Sequence, residues 1–226
     1  MLSLNSRIIF EDNHLIAVNK LPGELAQGDR TGDQPLLEKV RDYLRLKYEK
    51  PGNVFTGLIH RLDRPTSGVV LFARNSKALA RMNKVFEKRE VEKKYWAVVG
   101  GVLDKQEDTL VHFLKKDEKR NKALFFGSEK SGAKKAVLNY RVIKNIDHYT
   151  LLEVSLETGR HHQIRAQLSA IGHPIKGDLK YGFPRSNRDA SICLHAKFLK
   201  FDHPVSGEEI VLEAPLPEGE GVWKHF

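Results

Sequence analysis

The protein has 226 residues, of which 40% are apolar and 30% charged, a composition that excludes a disordered chain. No window approaches the roughly 20 consecutive apolar residues of a bilayer span, and the first residues do not resemble a secretory signal, so we expect a cytoplasmic protein. A net charge of +9 indicates a polyanionic partner, and the single cysteine, Cys193, excludes an internal disulfide.

The first third of the chain predicts a hairpin, two helices and a buried strand. The apolar runs RIIF and HLIAVN flank the polar EDN, as in two strands joined by a tight turn. Asp33 and Pro35 mark the start of a helix whose apolar residues recur at helical spacing up to Pro51. VVLFA, residues 69–73, is typical of a buried strand, and Ser76 is placed to cap a second helix.

From Tyr95 onward the spacing of apolar residues shifts toward two. The candidate strands are YWAVVGG, DTLVHFL, KALFFGS, AVLNYRVIKN and YTLLEVSLE, with KFLKF and EIVLEA near the end. Residues 162–171 predict one short amphipathic helix. Such closely spaced strands favour the α+β class. We predict a single domain over residues 1–226, with a mixed, mostly antiparallel sheet flanked by short helices.

Two basic runs, residues 115–122 and 129–136, fall between candidate strands. A run of this kind is usually a solvated hairpin turn. Because two occur close together on a basic protein, phosphate contacts are the alternative. The sequence leaves both interpretations open.

The segment HRLDRPTSG, residues 60–68, places Asp63 between two arginines and just before the buried strand. The end of a strand is a position where a rigid scaffold holds a reactive group within reach of solvent. The commoner role of an aspartate is to cap a turn, here through Thr66, or to pair with a neighbouring arginine. Asp63 is therefore a candidate that needs a second observation.

A second cluster lies in ETGRHHQIRAQLSAIGHPIKGD, residues 157–178. Arg165 follows an apolar residue of the predicted helix, from where it could reach a partly buried carboxylate. The adjacent histidines 161 and 162 do not form a metal site, because no cysteine or acidic ligand completes the set. Glycoside hydrolysis requires two facing carboxylates, whereas the sequence offers only one near its basic cluster, so a glycosidase is not supported. A serine-based catalytic triad is not supported either, because Ser67 is not in a GxSxG motif.

Tyr95, in VEKKYWAVVGG, stands at the start of a predicted strand. Most tyrosines in this position are ordinary sheet residues. The functional alternative is an aromatic surface on which a nucleobase stacks.

Taken together, HRLDRPTSG, KKYWAVVGG and LLEVSLETGRHHQIRAQLSAIGHPIKGDLKYG closely resemble the pseudouridine synthases of the RluA type. The ending LHAKFLKFDHPVSGEEIVLEAPLP is similar to the C-terminal segment of that family. The opening IIFEDNHLIAVNKLPGELAQGD is similar to its first motif, although Lys-Leu-Pro-Gly replaces the commoner Lys-Pro-x-Gly. The resemblance covers nearly the whole chain.

The resemblance implies an enzyme that isomerises a uridine already within an RNA chain, without cofactor or metal. Asp63 matches the catalytic aspartate of the family, Arg165 the arginine that pairs with it, and Tyr95 the aromatic residue beside the target base. Arg61 matches a position that helps to fill the space left by the flipped base. The other residues assigned to RNA binding are His60, Thr66, Arg160, His162 and Ile164.

The partner implied is structured RNA, either ribosomal or transfer RNA, with no membrane and no obligate protein partner. Many relatives carry an N-terminal S4-type RNA-binding domain. Because the first motif begins within the first ten residues, we expect a short member that contains the catalytic domain alone.

The residues leave the chemistry of Asp63 open. The carboxylate could attack C1′ of the ribose, or take the C2′ proton and form a glycal. Two other classes also compete: a non-catalytic RNA-binding protein on the same fold, and a hydrolase that releases free uracil.

Overall fold

The computed structural model describes residues 3–29, 31–218 and 221–226. Within these ranges the chain forms strands and short helices in the order expected of an α+β protein. The strands are β1 Ile8–Glu11, β2 Leu15–Lys20, β3 Gly57–Leu58, β4 Ser67–Ala73, β5 Val91–Gly100, β6 Glu107–Asp117, β7 Lys122–Phe126, β8 Lys134–Ile146, β9 Tyr149–Leu156, β10 Leu194–Asp202 and β11 Glu209–Glu213. The α-helices are α1 Leu36–Lys47, α2 Ser76–Glu87 and α3 Gln163–Ala170.

The chain divides into two compact units, each built from two segments. The first comprises residues 1–93 and 196–217, and the second comprises residues 94–195 and 218–226. Two of the three boundaries fall inside strands β5 and β10, and the third follows β11. The α+β class with mostly antiparallel pairing is confirmed, whereas the assignment of all 226 residues to one catalytic domain stays a prediction.

In the first unit, β2 pairs antiparallel with β1 on one side and with β4 on the other, and the whole of β2 and β4 is buried. The predicted hairpin RIIF–EDN–HLIAVN is thereby confirmed. Strand β3 adds to β4, and β11 pairs with β10. Helix α2 packs Ala78 and Met82 against an apolar cluster that includes Leu15 and Leu71.

The start of α2 corrects one expectation. Ser76 is the first helical residue, and the cap is Asn75, whose side chain accepts a hydrogen bond from the backbone N–H of Ala78 at 2.8 Å. An asparagine and a serine stand side by side here, and both are favoured caps. The extended backbone of Asn75 decides between them.

In the second unit, five strands pair antiparallel in the order β5, β9, β8, β6, β7. Helix α3 contributes Ile164 and Leu168 to the main apolar cluster of this unit. Cys193 belongs to the same cluster and is 3% exposed, which confirms it as a small buried hydrophobe.

The basic runs are not simple turns. Residues 115–117 belong to β6, residue 122 to β7, and residues 134–136 to β8. The connecting turns are shorter than predicted, at residues 118–121 and 127–133. Within the described ranges, no helix is long and apolar enough to cross a membrane.

Candidate active site

Asp63 lies in the turn that leads from β3 into β4. Its carbonyl oxygen accepts a hydrogen bond from the backbone N–H of Thr66 at 3.0 Å, so the main chain closes the turn. Gly68 follows at a φ of +114°, and a side chain there would meet the backbone of Ala196 at 2.3 Å. Only glycine allows the turn to enter β4 against β10 in this way.

Lys20, at the end of β2, stabilises the turn at Asp63 through hydrogen bonds to its backbone. Its ammonium group is fully buried and donates hydrogen bonds to three backbone carbonyls: Leu21 at 3.1 Å, Arg64 at 3.0 Å and Thr66 at 2.6 Å. Each of the three N–H groups of the ammonium therefore has an acceptor, and two of these acceptors, the carbonyls of Arg64 and Thr66, belong to the turn at Asp63. This role of Lys20 was not predicted from the sequence. Its one sequence signal is a lysine that ends an otherwise apolar strand.

The charge of Lys20 is costly in this position. Burial lowers the pKa of Lys20 to about 7, an effect that the nearby carboxylates of Glu24 and Asp63 partly oppose. A lysine would be ionised almost completely at pH 7 in water. Lys20 should therefore lose its proton within the physiological pH range.

We predict a pH-dependent stability from Lys20. Between the folded pKa of about 7 and the unfolded value of about 10.4, the unfolded chain binds the extra proton. The free energy of unfolding of the wild type should therefore rise relative to Lys20→Met, by about 1.4 kcal/mol per pH unit between pH 7 and 9, and the difference should stay flat below pH 7. Urea unfolding at several pH values measures this difference.

Lys77→Met, at an exposed lysine of α2, is the matched control and should show no such slope at pH 7 to 9. A stability difference between the wild type and Lys20→Met that is constant from pH 6 to 9 would contradict the assignment.

The arginines that flank Asp63 have different surroundings. Arg64 pairs with Asp33 at 2.6 Å and donates to the carbonyl of Gly23 at 3.0 Å, so it ties the turn to these two residues. Both charged side chains are exposed, and a pair of this kind contributes little stability. Arg61 is exposed, as a residue that contacts RNA must be.

Two other predicted RNA-binding residues of the first unit, His60 and Thr66, are less exposed than Arg61. The ring of His60 stacks on Phe86 at 5.2 Å, and its Nε2 accepts from the backbone N–H of Leu71. Burial and the nearby Lys93 lower the pKa of His60 to about 3, so the ring is neutral at physiological pH. The hydroxyl of Thr66 is buried without a hydrogen-bond partner among the described residues. For both residues, RNA binding stays a prediction.

In the second unit, Tyr95 lies on β5 opposite Val154 of β9 and packs against the main cluster. Arg165 projects from α3 and is 5% exposed. Its Nε and Nη2 donate to the two carboxylate oxygens of Asp178 at 2.7 and 2.9 Å, in a two-point ion pair. Asp178 ends the second sequence cluster, residues 157–178, but no role was predicted for it.

The N-terminal end of α3 is held by contacts with Tyr181 and with β8. His162 precedes the helix in a left-handed conformation, and its Nδ1 lies 2.9 Å from the hydroxyl of Tyr181. Arg160 donates from Nε to the carbonyl of Lys135 at 3.0 Å. Ile164 is 5% exposed within the apolar cluster, which accounts for an apolar residue there. For Arg160, His162 and Ile164, RNA binding stays a prediction.

Asp63 belongs to the first unit, and Tyr95 and Arg165 belong to the second. The pairing of Asp63 with Arg165 therefore stays a prediction. Within the second unit, Asp178 is a partner of Arg165 that the sequence analysis did not foresee. A guanidinium carries five N–H donors, so two hydrogen bonds to one carboxylate do not use all of them.

Comparisons with known proteins agree with the motifs. The family model described as RNA pseudouridylate synthase matches residues 14–170. An uncharacterised RNA pseudouridine synthase of Bacillus subtilis, YlyB, is 36% identical, with 93% of this chain and 69% of the relative covered. The tRNA pseudouridine synthase C of Salmonella typhimurium is 34% identical, over 93% of this chain and 85% of the relative.

A third relative is named for a different RNA. Ribosomal large subunit pseudouridine synthase D of Zymomonas mobilis is 32% identical, with 93% of this chain and 69% of the relative covered. Among solved structures, human RNA Pseudouridylate Synthase Domain Containing 1 superposes with a TM-score of 0.77 at 26% identity, over 93% of this chain and 83% of the other.

Proposed function

The chain belongs to the RNA pseudouridylate synthase family, and from this premise we propose that it converts one specific uridine of a structured RNA into pseudouridine. Members of this family are isomerases. The observation that carries the proposal is the turn at Asp63, which the buried Lys20 holds directly before a buried strand. A turn held this firmly suits a reactive side chain better than a solvated surface charge.

The proposed substrate class is ribosomal or transfer RNA. The similar proteins of known name include a tRNA pseudouridine synthase and a ribosomal large subunit pseudouridine synthase. The net charge of +9 favours binding to either RNA. A cytoplasmic location remains a prediction.

In the proposed reaction, uracil is detached from its ribose at N1, rotated, and rejoined through C5. An ionised Asp63 either attacks C1′, as a glycosidase nucleophile does, or removes the C2′ proton. Arg165 is the proposed partner that orients the carboxylate. No external group is consumed, because the atoms of uridine and pseudouridine are the same.

The target nucleotide has to leave its stack before a protein can reach the glycosidic bond. We propose that Tyr95 stacks on the extruded base and that Arg61 occupies the gap. The exposure of Arg61 and the position of Tyr95 on the rigid strand β5 are consistent with these roles. Sequestering the base from water also prevents its loss as free uracil.

The direct test of the proposed function is to map pseudouridines in total RNA from cells with and without this gene. At least one position in ribosomal or transfer RNA should lose its pseudouridine when the gene is deleted and regain it on complementation. Identical maps in the two strains would contradict the proposal, provided that the gene is expressed in the strain that carries it.

We further expect RNA affinity to depend steeply on salt, since phosphate contacts release counterions. Lys119→Ala combined with Arg120→Ala removes two charges from the turn at residues 118–121. This variant should weaken RNA binding at low salt and reduce the slope of log affinity against log salt by roughly 1.5. Fluorescence anisotropy at several salt concentrations measures both quantities.

Lys77→Ala, on α2, removes an exposed charge in the first unit and should leave the slope unchanged. If the double variant keeps the wild-type slope, the turn at residues 118–121 does not contact phosphate.

A further inference from the structure

We propose that Asp178 is a positioning residue of the reaction, which holds the guanidinium of Arg165 in one orientation and sets the turnover rate without touching RNA. The inference rests on the proposed function, in which Arg165 serves the reaction. Asp178 is 1% exposed, so RNA cannot reach its side chain.

The contact between Asp178 and Arg165 is a buried two-point ion pair with charge-assisted hydrogen bonds. Two parallel N–H···O bonds of 2.7 and 2.9 Å join the Nε–Nη2 edge of the guanidinium to both carboxylate oxygens. The side chains are 6% and 1% exposed. Two bonds fix the plane of the guanidinium as well as its position, which a single contact would not do.

Asp178 is itself held by the strand that carries Tyr95. Its backbone N–H donates to the carbonyl of Ile175, which forms a β-bridge with Val99 of β5. The residue after Ile175, Lys176, donates from its backbone N–H to the carbonyl of Val98 at 2.8 Å. Backbone hydrogen bonds therefore hold Asp178 in a fixed position relative to β5, and Asp178 in turn orients Arg165.

Tyr181 supports the same guanidinium from a second direction. The centre of the guanidinium lies 5.1 Å from the centroid of the Tyr181 ring, a cation–π distance. The hydroxyl of Tyr181 accepts from the backbone N–H of Ala123 on β7 at 2.7 Å and lies 2.9 Å from Nδ1 of His162. The ring therefore cannot turn away without breaking buried hydrogen bonds.

Loss of the two-point contact between Asp178 and Arg165 should lower the turnover rate. In Asp178→Asn, the amide offers one oxygen and places an NH₂ group against the N–H groups of Arg165. The guanidinium then loses its fixed plane, and a displacement of about 1 Å at a reacting group costs on the order of 10²-fold in rate. We expect kcat to fall by this factor while KM stays within about threefold, because Asp178 makes no RNA contact.

A double-mutant cycle with Arg165→Lys separates positioning from a general structural role. If Asp178 acts only through Arg165, the double variant should be about as slow as Arg165→Lys alone, near 10²-fold below the wild type. Independent effects would multiply to about 10⁴-fold and would overturn the inference. Rates are measured in single turnover at saturating RNA and normalised to folded protein.

A spectroscopic measurement tests the same contact without relying on activity. The Nε–H of Arg165 should give a ¹⁵N-correlated NMR signal protected from exchange, which is absent in Arg165→Lys and loses its protection in Asp178→Asn. Retained protection in Asp178→Asn would overturn the inference. If the wild type is inactive on every RNA yet shows this pattern, the proposed function fails and the contact stands.

Asp108→Asn supplies the matched control, since it makes the same substitution in an exposed pair with Lys105 and should leave rate and spectrum unchanged. If Asp178→Asn does not fold, the cycle is run with Asp178→Glu, which keeps the charge but lengthens the side chain. A rate for Asp178→Glu within threefold of the wild type would overturn the inference, and a loss of tenfold or more that disappears in the Arg165→Lys background would support it.

Discussion

Asp63→Asn should fold and bind RNA with wild-type affinity, yet lower the rate of pseudouridine formation by at least about 10³-fold. The amide has almost the same shape as the carboxylate, but it can neither attack C1′ nor remove a proton. The turn itself should persist, because the carbonyl oxygen of Asp63, rather than its side chain, accepts from Thr66, and Lys20 binds the carbonyls of residues 64 and 66.

Asp108→Asn controls for the substitution, since it changes a partly exposed carboxylate to an amide elsewhere in the chain. Single-turnover measurements at saturating RNA separate chemistry from binding. Turnover by Asp63→Asn within tenfold of the wild type would remove Asp63 from the catalytic role and favour its interpretation as a turn residue.

Arg165→Lys should reduce kcat by roughly 10²-fold and lower the free energy of unfolding by about 2 kcal/mol. Lysine keeps the positive charge but is a point donor, so it cannot satisfy both oxygens of Asp178 in one plane. A buried carboxylate would be left with one poorly matched partner, and this loss accounts for the change in stability.

Arg141→Lys is the matched control for this substitution. Arg141 pairs with Glu153 at 3.1 Å, but its side chain is 62% exposed, so its replacement by lysine should cost little. Wild-type kcat in folded Arg165→Lys would contradict the prediction, because it would show that the two-point contact between the guanidinium and Asp178 does not contribute to the reaction.

Regular structure was predictable where the signal is local. The period-two pattern of residues 95–156 and the apolar runs around EDN are properties of consecutive residues, and the strands β1, β2 and β5 to β9 appear where this pattern placed them. The cap of α2 was missed because Asn75 and Ser76 are both suitable, and only the backbone conformation distinguishes them.

The contacts around the site depend on residues that are far apart in sequence. Lys20 donates hydrogen bonds to carbonyls that lie 44 and 46 residues later in the chain, and no local sequence pattern predicts such a contact. Asp178 follows Arg165 by 13 residues, across a helix end and a turn, so the two-point ion pair could not be inferred from spacing. The motifs indicated which residues matter, whereas the packing shows what holds them.

The most direct measurement of the central claim uses RNA labelled with tritium at C5 of uridine and purified wild-type protein. Rejoining the base through C5 displaces the label, so tritium should be released in step with pseudouridine and without free uracil. Free uracil would identify a hydrolase, and release of neither product from any ribosomal or transfer RNA would indicate a non-catalytic RNA-binding protein. Either result would contradict the assignment of this chain as an enzyme that forms pseudouridine in RNA.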